Sequence, residues 1–286
     1  MRDFKMKTII NYKKPDRDDI TKANAIYHNL VARNYEKSLS TTGAFEKFGQ
    51  SRIKEIVRFL RKKTKGDFFL DVGCGTGNVL KFATPYFKNA IGIDVSIEML
   101  KIAKKRGLSG LLADCYKVPF KSNTFDVIAC SSLLHHLYDP NQFLLEAYRI
   151  LKRGGYLYTD WDPNRKSTII HYQSRIYLFL LSLVKYFFVF LKRKPDTLKE
   201  LSSVGKLAEY HWESTKKGLC PYELKKALLN MGFREVKIIF HSNCKSIFYP
   251  KKIPFMWRAE IWIKALLTLN FKYEDLAKYF IILARK

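Results

Sequence analysis

Between residues 68 and 159 the chain repeats one pattern: an apolar run, a polar or glycine-rich turn, then apolar positions spaced for one helix face. The first run, Phe68-Phe69-Leu70, ends in Asp71 and opens into Gly73-Cys74-Gly75-Thr76-Gly77, before Asn78 and the apolar stretch Val79 to Ala83. Continuous rather than alternating apolarity predicts strands buried on both faces, as in a parallel sheet between helices. Ala90-Ile91-Gly92-Ile93-Asp94 reads as a second strand, Leu111-Leu112-Ala113-Asp114 as a third, and Phe125 to Ser131 as a fourth. Ile150-Leu151-Lys152-Arg153-Gly154-Gly155 reads as the glycine-capped end of a helix, with a fifth strand from Tyr156 to Thr159. Pro221 to Phe233 predicts a helix, Arg234 to Phe240 a sixth strand and Tyr279 to Ala284 a seventh. Ahead of the sheet, residues 18–38 and 44–63 predict helices, the second with Ile53, Ile56, Val57 and Leu60 on one face.

The chemistry collects at the carboxyl ends of these strands, where open α/β sheets bind ligands. Glycines at 73 and 75 let the backbone turn tightly with no Cβ between it and a bound molecule. The spacing is Gly-x-Gly-x-Gly, and Asn78 stands where a dinucleotide site would carry its third glycine. Asp94 ends the second strand, and a carboxylate there can accept hydrogen bonds from both hydroxyls of a ribose. Asp114 supplies a third acid at a third strand end.

With these residues, positions 50–164 resemble the class I S-adenosylmethionine-dependent methyltransferases, in particular the group acting on small molecules and lipids, and the likeness continues more weakly over the last 66 residues. The resemblance implies a Rossmann-like seven-stranded α/β methyltransferase sheet, strands one to six parallel and the seventh antiparallel. It implies S-adenosylmethionine as cofactor. Gly73, Cys74 and Gly75 would wrap its methionine part, and Asp71 would anchor the ammonium through the turn or a water. Asp94, followed by Val95, would hold the ribose, and Met99 would pack on the adenine. Asp114 would bond the adenine amino group beside the Cys115 amide, and Ser131 would meet the methionine tail. Tyr35 resembles a tyrosine with which relatives cover the cofactor.

Domain organisation follows from what lies outside the repeat. Residues 1–63 form a helical lid, and residues 64–286 the methyltransferase domain, interrupted by insertions at about 163–220 and 241–276. Both insertions leave from the carboxyl edge and so overhang the substrate crevice. The first holds Ile176 to Leu191, apolar on nearly every face, with Lys185 near its middle and basic residues at both ends. It reads as a buried lid helix, or as one lying in a membrane interface. As a helix it would measure about 24 Å, short of a hydrocarbon core of about 30 Å. The second insertion sets Trp257 beside Arg258 and Trp262 beside Lys264, a pairing found at interfaces.

Charge sharpens this division. The net charge is +26, yet residues 67–164 carry 11 basic and 10 acidic side chains, whereas residues 1–66 carry 17 and 7 and residues 165–286 carry 24 and 9. Basic flanks around a neutral core suit an anionic partner such as a phospholipid surface, a phosphorylated substrate or RNA. Cys74, Cys115 and Cys130 fall at strand ends and not in paired spacing, which fits reduced thiols in the cytoplasm. The opening residues lack a secretion signal's apolar stretch. A cytoplasmic enzyme is expected, peripheral at the inner membrane face if the apolar covers touch lipid.

Methyl transfer needs a base only where the acceptor is a hydroxyl or an acidic carbon. His135 and His136, after the fourth strand, are the candidates, with Asp160 facing the crevice as an orienting group beside Asp162. Asp162 and His136 are only two potential ligands, so no metal is expected. The expected acceptor is a hydrophobic small molecule or lipid, methylated on oxygen or carbon. The stretch from Val118 to Phe120, with His135-His136 and Trp161, also resembles wobble-uridine tRNA methyltransferases, which keeps tRNA open as a partner. DNA is not expected, because Ser131-Ser132-Leu133-Leu134 replaces the Asn/Asp-Pro-Pro-aromatic motif of amino-methylating enzymes. A non-catalytic cofactor-binding scaffold is the third alternative.

Overall fold

The structure is a computed structural model that describes residues 15–35, 47–173, 218–242 and 255–286. The apolar helix expected at 176–191, and most of both insertions, lie outside the described residues.

The apolar runs assemble into one seven-stranded sheet: β1 (Phe68–Val72), β2 (Asn89–Asp94), β3 (Gly110–Leu112), β4 (Phe125–Ser131), β5 (Leu151–Pro163), β6 (Glu235–His241) and β7 (Tyr279–Arg285), in the order β3-β2-β1-β4-β5-β7-β6. Pairings among β1 to β5 are parallel, and β7 runs antiparallel between β5 and β6, the arrangement that the sequence implies. The order reverses between β1 and β4, which places the ligand crevice at the carboxyl ends of β1, β2 and β4.

Helices cover both faces because β1 and β4 are apolar on both. α1 (Arg17–Val31) and α2 (Lys47–Lys63) precede the sheet, α3 (Leu80–Ala83) and α4 (Ile97–Lys105) follow β1 and β2, and α5 (Pro140–Ile150) joins β4 to β5. α6 (Arg165–Gln173) leaves β5, α7 (Pro221–Met231) leads into β6, and α8 (Phe255–Thr268) and α9 (Tyr273–Leu276) precede β7. On one face the stripe Ile53, Ile56, Val57 and Leu60 of α2 packs with Phe69, Val127, Tyr158 and Ile281. On the other, Phe143, Leu144, Ala147 and Ile150 of α5 pack with Leu70, Ile128, Leu157, Leu228 and Phe280.

Three boundaries differ from the sequence reading. Residues 151–155 belong to β5, not to a glycine-capped helix end. The chain terminus decides this: Gly154 donates its N–H to the Lys286 carbonyl (2.7 Å), and the Gly155 carbonyl accepts from the Lys286 N–H (3.0 Å). The third strand stops at Leu112, leaving Asp114 in the loop beyond it. The first helix, expected to reach residue 38, turns into a 3-10 segment (Ala32–Asn34) after Val31. It starts at a capping box in which Asp16 and Asp19 bond each other's backbone N–H. Among the described residues no helix is long and apolar enough to cross a membrane.

At the carboxyl end of β5 the strand bulges between Thr159 and Asp162, and Trp161 adopts φ +64°, a region that side-chain-bearing residues rarely occupy. A buried polar cluster holds it there. Fully buried Arg52 of α2 donates from Nε (3.3 Å) and Nη2 (3.2 Å) to Asp160 Oδ2, and its guanidinium lies 4.5 Å from the Trp161 ring centre. Tyr158 donates its hydroxyl to the same oxygen (2.9 Å), while Asp160 Oδ1 accepts the Trp161 N–H (2.7 Å) and lies 2.9 Å from His241 Nε2. Removing one partner of a buried ion pair strands the other. Arg52→Met should therefore lower unfolding free energy by about 3–5 kcal/mol, read as a shifted urea midpoint.

Candidate active site

The crevice at the strand ends contains an open cavity lined from α1, the turn after β1, and the ends of β2, β3 and β4. Its floor is the turn after β1. Gly73 and Gly75 both have positive φ (+66° and +53°), and a Cβ on Gly73 would come within 2.9 Å of the Leu133 side chain. A Cβ on Gly75 would meet nothing within 4 Å, so there the backbone conformation alone demands glycine.

Asp94 fixes that turn. Its Oδ2 accepts the Gly75 N–H (2.8 Å) and its Oδ1 the Ser96 N–H (2.8 Å), so both oxygens are oriented by the backbone while the residue lines the cavity. Burial raises its pKa, and those amides pull it back toward ionisation. Ser96 caps α4 by accepting from the Met99 N–H (3.2 Å), which seats Met99 in the cavity wall beside Val95. Past β3, Asp114 accepts the Tyr116 N–H (3.0 Å), and Asp114 and Cys115 line the cavity. Ser131 and Ser132 close it from β4.

The lid is α1. Asn29 Oδ1 accepts from Ser96 Oγ (2.7 Å) and the Glu98 N–H (3.1 Å), tying α1 to α4. Asn24 donates to the His136 carbonyl (3.2 Å), tying it to the loop after β4, and its own carbonyl oxygen stands buried in the cavity wall without a partner. Tyr35, His28 and His136 form a ring-edge chain above the cavity, with centroids 5.8 and 5.5 Å apart, and all three line it.

The expected site residues thus divide. Gly73, Gly75, Asp94, Val95, Met99, Asp114, Cys115, Ser131 and His136 line one cavity. Asp71, Cys74, His135 and Asp160 stand behind its wall. Asp71 accepts the Leu80 N–H (3.0 Å), joining β1 to α3; burial, opposed by that bond and aided by Asp94, pushes its pKa up to about 8. Cys74 contributes its N–H to the Ile93 carbonyl (3.0 Å), and burial raises its thiol pKa well above the ordinary range. His135 turns inward to Asp162, Nδ1 to Oδ1 2.9 Å, and burial lowers its pKa to about 4. Asp160 corrects the expectation most clearly: it lies inside the Arg52 cluster and does not face the cavity. Burial opposes its charge, but Arg52 and His241 outweigh this and lower its pKa. Ile20, Thr21, Asn24 and His28 are lid contacts that strand-by-strand reading had no means of placing. Among the described residues no three metal-binding side chains gather.

This donor set fits a nucleoside carrying a short polar tail. Two acids at adjacent strand ends face a cavity whose lining also includes the apolar side chains of Ile93, Val95, Met99, Ala113 and Leu137. A family model described as a methyltransferase domain matches residues 70–159. The demethylmenaquinone methyltransferase of Oceanobacillus iheyensis is 30% identical over 225 residues, covering 74% of this chain and 88% of that protein. The tRNA (carboxymethyluridine(34)-5-O)-methyltransferase of Arabidopsis thaliana is 31% identical over 118 residues, 40% of this chain and 29% of that one. The crystal structure of an S-adenosylmethionine-dependent methyltransferase from Thermotoga maritima superposes with a TM-score of 0.53 at 22% identity, over 92% of this chain and 99% of its own. The chain belongs to the class I S-adenosylmethionine-dependent methyltransferase family. It spans about half, or less, of the length of several other curated relatives, two Methanocaldococcus jannaschii proteins among them (48% and 47%).

Asp94 would hold the ribose hydroxyls of the cofactor, Met99 and Val95 its base, and the turn at 73–75 its methionine part. Two charge-assisted hydrogen bonds are worth about 3 kcal/mol together, so Asp94→Ala should weaken S-adenosylmethionine binding by about 100-fold in titration calorimetry. Arg52→Met, behind the wall, should leave that affinity unchanged.

Burial also sets the pH response. His28 is lowered to about 3 by burial, with His136 and His135 adding to the shift, and burial lowers His241 to about 4, like His135. The unfolded chain protonates these three below the ordinary value of 6.5 and the folded one does not, so their stabilisation is lost as pH falls below 6.5. Asp71, raised to about 8, works the other way, and its contribution declines as pH rises through 8. Burial raises Asp94 and Asp162 as well, so these carboxylates offset the histidines on the acid side; once the histidines are neutral, thermal midpoints should fall as pH rises from 6.5 to 8.

Proposed function

We propose that the protein transfers a methyl group from S-adenosylmethionine to oxygen or carbon of a hydrophobic, lipid-like acceptor. One observation carries the acceptor class. The correspondence with an enzyme named for an isoprenoid quinone extends over most of both chains, whereas that with the tRNA enzyme is confined to part of each.

The cofactor supplies an already activated methyl group. The chain's own residues bind, orient and exclude water, effects that together can be worth about 7–11 kcal/mol. Asp94 and Asp114 grip one side of the cavity while the glycine turn fixes the other. α1, pinned by Asn24 and Asn29, closes over them and keeps solvent out. His136 is the titratable side chain that reaches the cavity from β4's end, and a neutral imidazole there can accept the proton that a hydroxyl or acidic carbon must lose.

Incubating the protein with labelled S-adenosylmethionine and separate lipid and tRNA extracts tests the reading. Label should enter the lipid fraction, and His136→Gln should slow its entry by about 100-fold or more at undiminished cofactor affinity. Label confined to tRNA, with binding that weakens steeply as salt rises, would replace the lipid by RNA.

A further inference from the structure

α8 is apolar on two sides, and among the described residues only one of them packs against the fold. Ile261 and Ala265 pack against Ile170 of α6 and Leu276 of α9. Around the helix from these, Trp262, Ile263 and Leu266 are 57%, 41% and 61% exposed, and the chain continues with Leu269 at 83% and Phe271 at 60%. Five large apolar side chains within ten residues, all facing water, are more than scattered surface hydrophobes. Exposed Arg258 and Lys272 bracket them, on a chain of net charge +26 whose basic excess lies outside the catalytic core.

We propose that this face of α8 and the 269–271 loop is a docking surface for an anionic phospholipid bilayer. Trp262, Leu266, Leu269 and Phe271 enter the interfacial layer, while Arg258 and Lys272 lie at the level of lipid phosphates. Tryptophan with aliphatic side chains on one face and cations at its border is the composition that settles at that depth. Charge selects the lipid, because a basic border gains little from a zwitterionic surface and much from an anionic one.

The surface is mounted rigidly on the catalytic sheet. Asn164, next after β5, donates to the Glu274 and Ala277 carbonyls (2.8 and 2.9 Å), and Ser167 Oγ donates to the Leu276 carbonyl (2.8 Å). Lys166 pairs with Asp275 (2.8 Å). α6 and α9 are thereby bound to the carboxyl edge of β5, and α8 rides on both. A bilayer held by α8 would lie at the edge of the sheet from which a lipid-like acceptor must enter. The docking itself does not depend on the acceptor's identity.

Flotation of the full chain with vesicles, read without any acceptor, separates this proposal from the catalytic one. The protein should float with vesicles of equal parts phosphatidylcholine and phosphatidylserine and stay down with phosphatidylcholine alone. A variant carrying Trp262→Ser, Leu266→Ser, Leu269→Ser and Phe271→Ser should lose at least about tenfold of that partitioning while still binding S-adenosylmethionine, which shows it folded. Absence of wild-type flotation overturns the proposal, as does equal flotation with both vesicles or an unaffected variant. It is also overturned if, without lipid, the wild type sediments as a dimer that the substitutions dissolve, because the face then belongs to a second copy.

Discussion

A single carboxylate organises the catalytic edge of this protein. Asp94 gives one oxygen to the Gly75 amide and the other to the Ser96 amide, so the glycine turn after β1, the end of β2 and the start of α4 share one anchor. Neither oxygen is free to rotate away, yet each keeps lone-pair capacity toward the cavity. The cost of burying that charge is partly offset by backbone dipoles that stay in place whether or not a ligand is present. Preorganisation of this kind is what a fold dominated by cofactor binding requires. The lid depends on it too, since Asn29 reaches α4 through the Ser96 hydroxyl that caps the helix.

A second charge centre is separated from the first and has a different task. Arg52 and Asp160 meet where β5 bulges, in full burial, with Tyr158, His241 and the Trp161 backbone completing the coordination. An ion pair this dry contributes little net stability when intact and costs much when broken, so its value lies in enforcing one geometry. It holds Trp161 in a backbone conformation that few residues tolerate, and it bends β5 where the chain leaves the sheet for α6. Asp94 and Asp160 thus both end apolar strand runs, one facing the cavity and the other tied into the architecture.

The surface chemistry follows the same division. The strand-and-helix core is nearly neutral and closed on both faces, as a doubly wound sheet must be. Apolar exposure concentrates on α8 and the turn after it, more than a hundred residues beyond the cavity-lining residues and yet fastened to the sheet's carboxyl edge. An enzyme for a hydrophobic acceptor has to meet its substrate where that substrate partitions, and a bilayer docked on α8 would lie on the same carboxyl edge of the sheet as the crevice.

Continuous apolarity made the strands legible: runs such as Phe69 to Val72 and Phe125 to Cys130 are buried on both faces. Gly73, Gly75, Asp94 and Asp114 were readable as a ligand edge because glycine and acid residues at strand ends are dictated by neighbours in sequence. Which acids reach the cavity was not. Asp71 and Asp160 carry the same pattern as Asp94, but a helix amide claims one and Arg52, more than a hundred residues away, claims the other. His135 and His136 are adjacent in the chain, yet Asp162 draws one inward and leaves the other at the cavity wall. The residue types and their spacing along each strand determined the fold and the chemical class. Only tertiary structure decided which side chains are spent on structure and which face the ligand, because that choice depends on hydrogen-bond partners brought from distant parts of the chain.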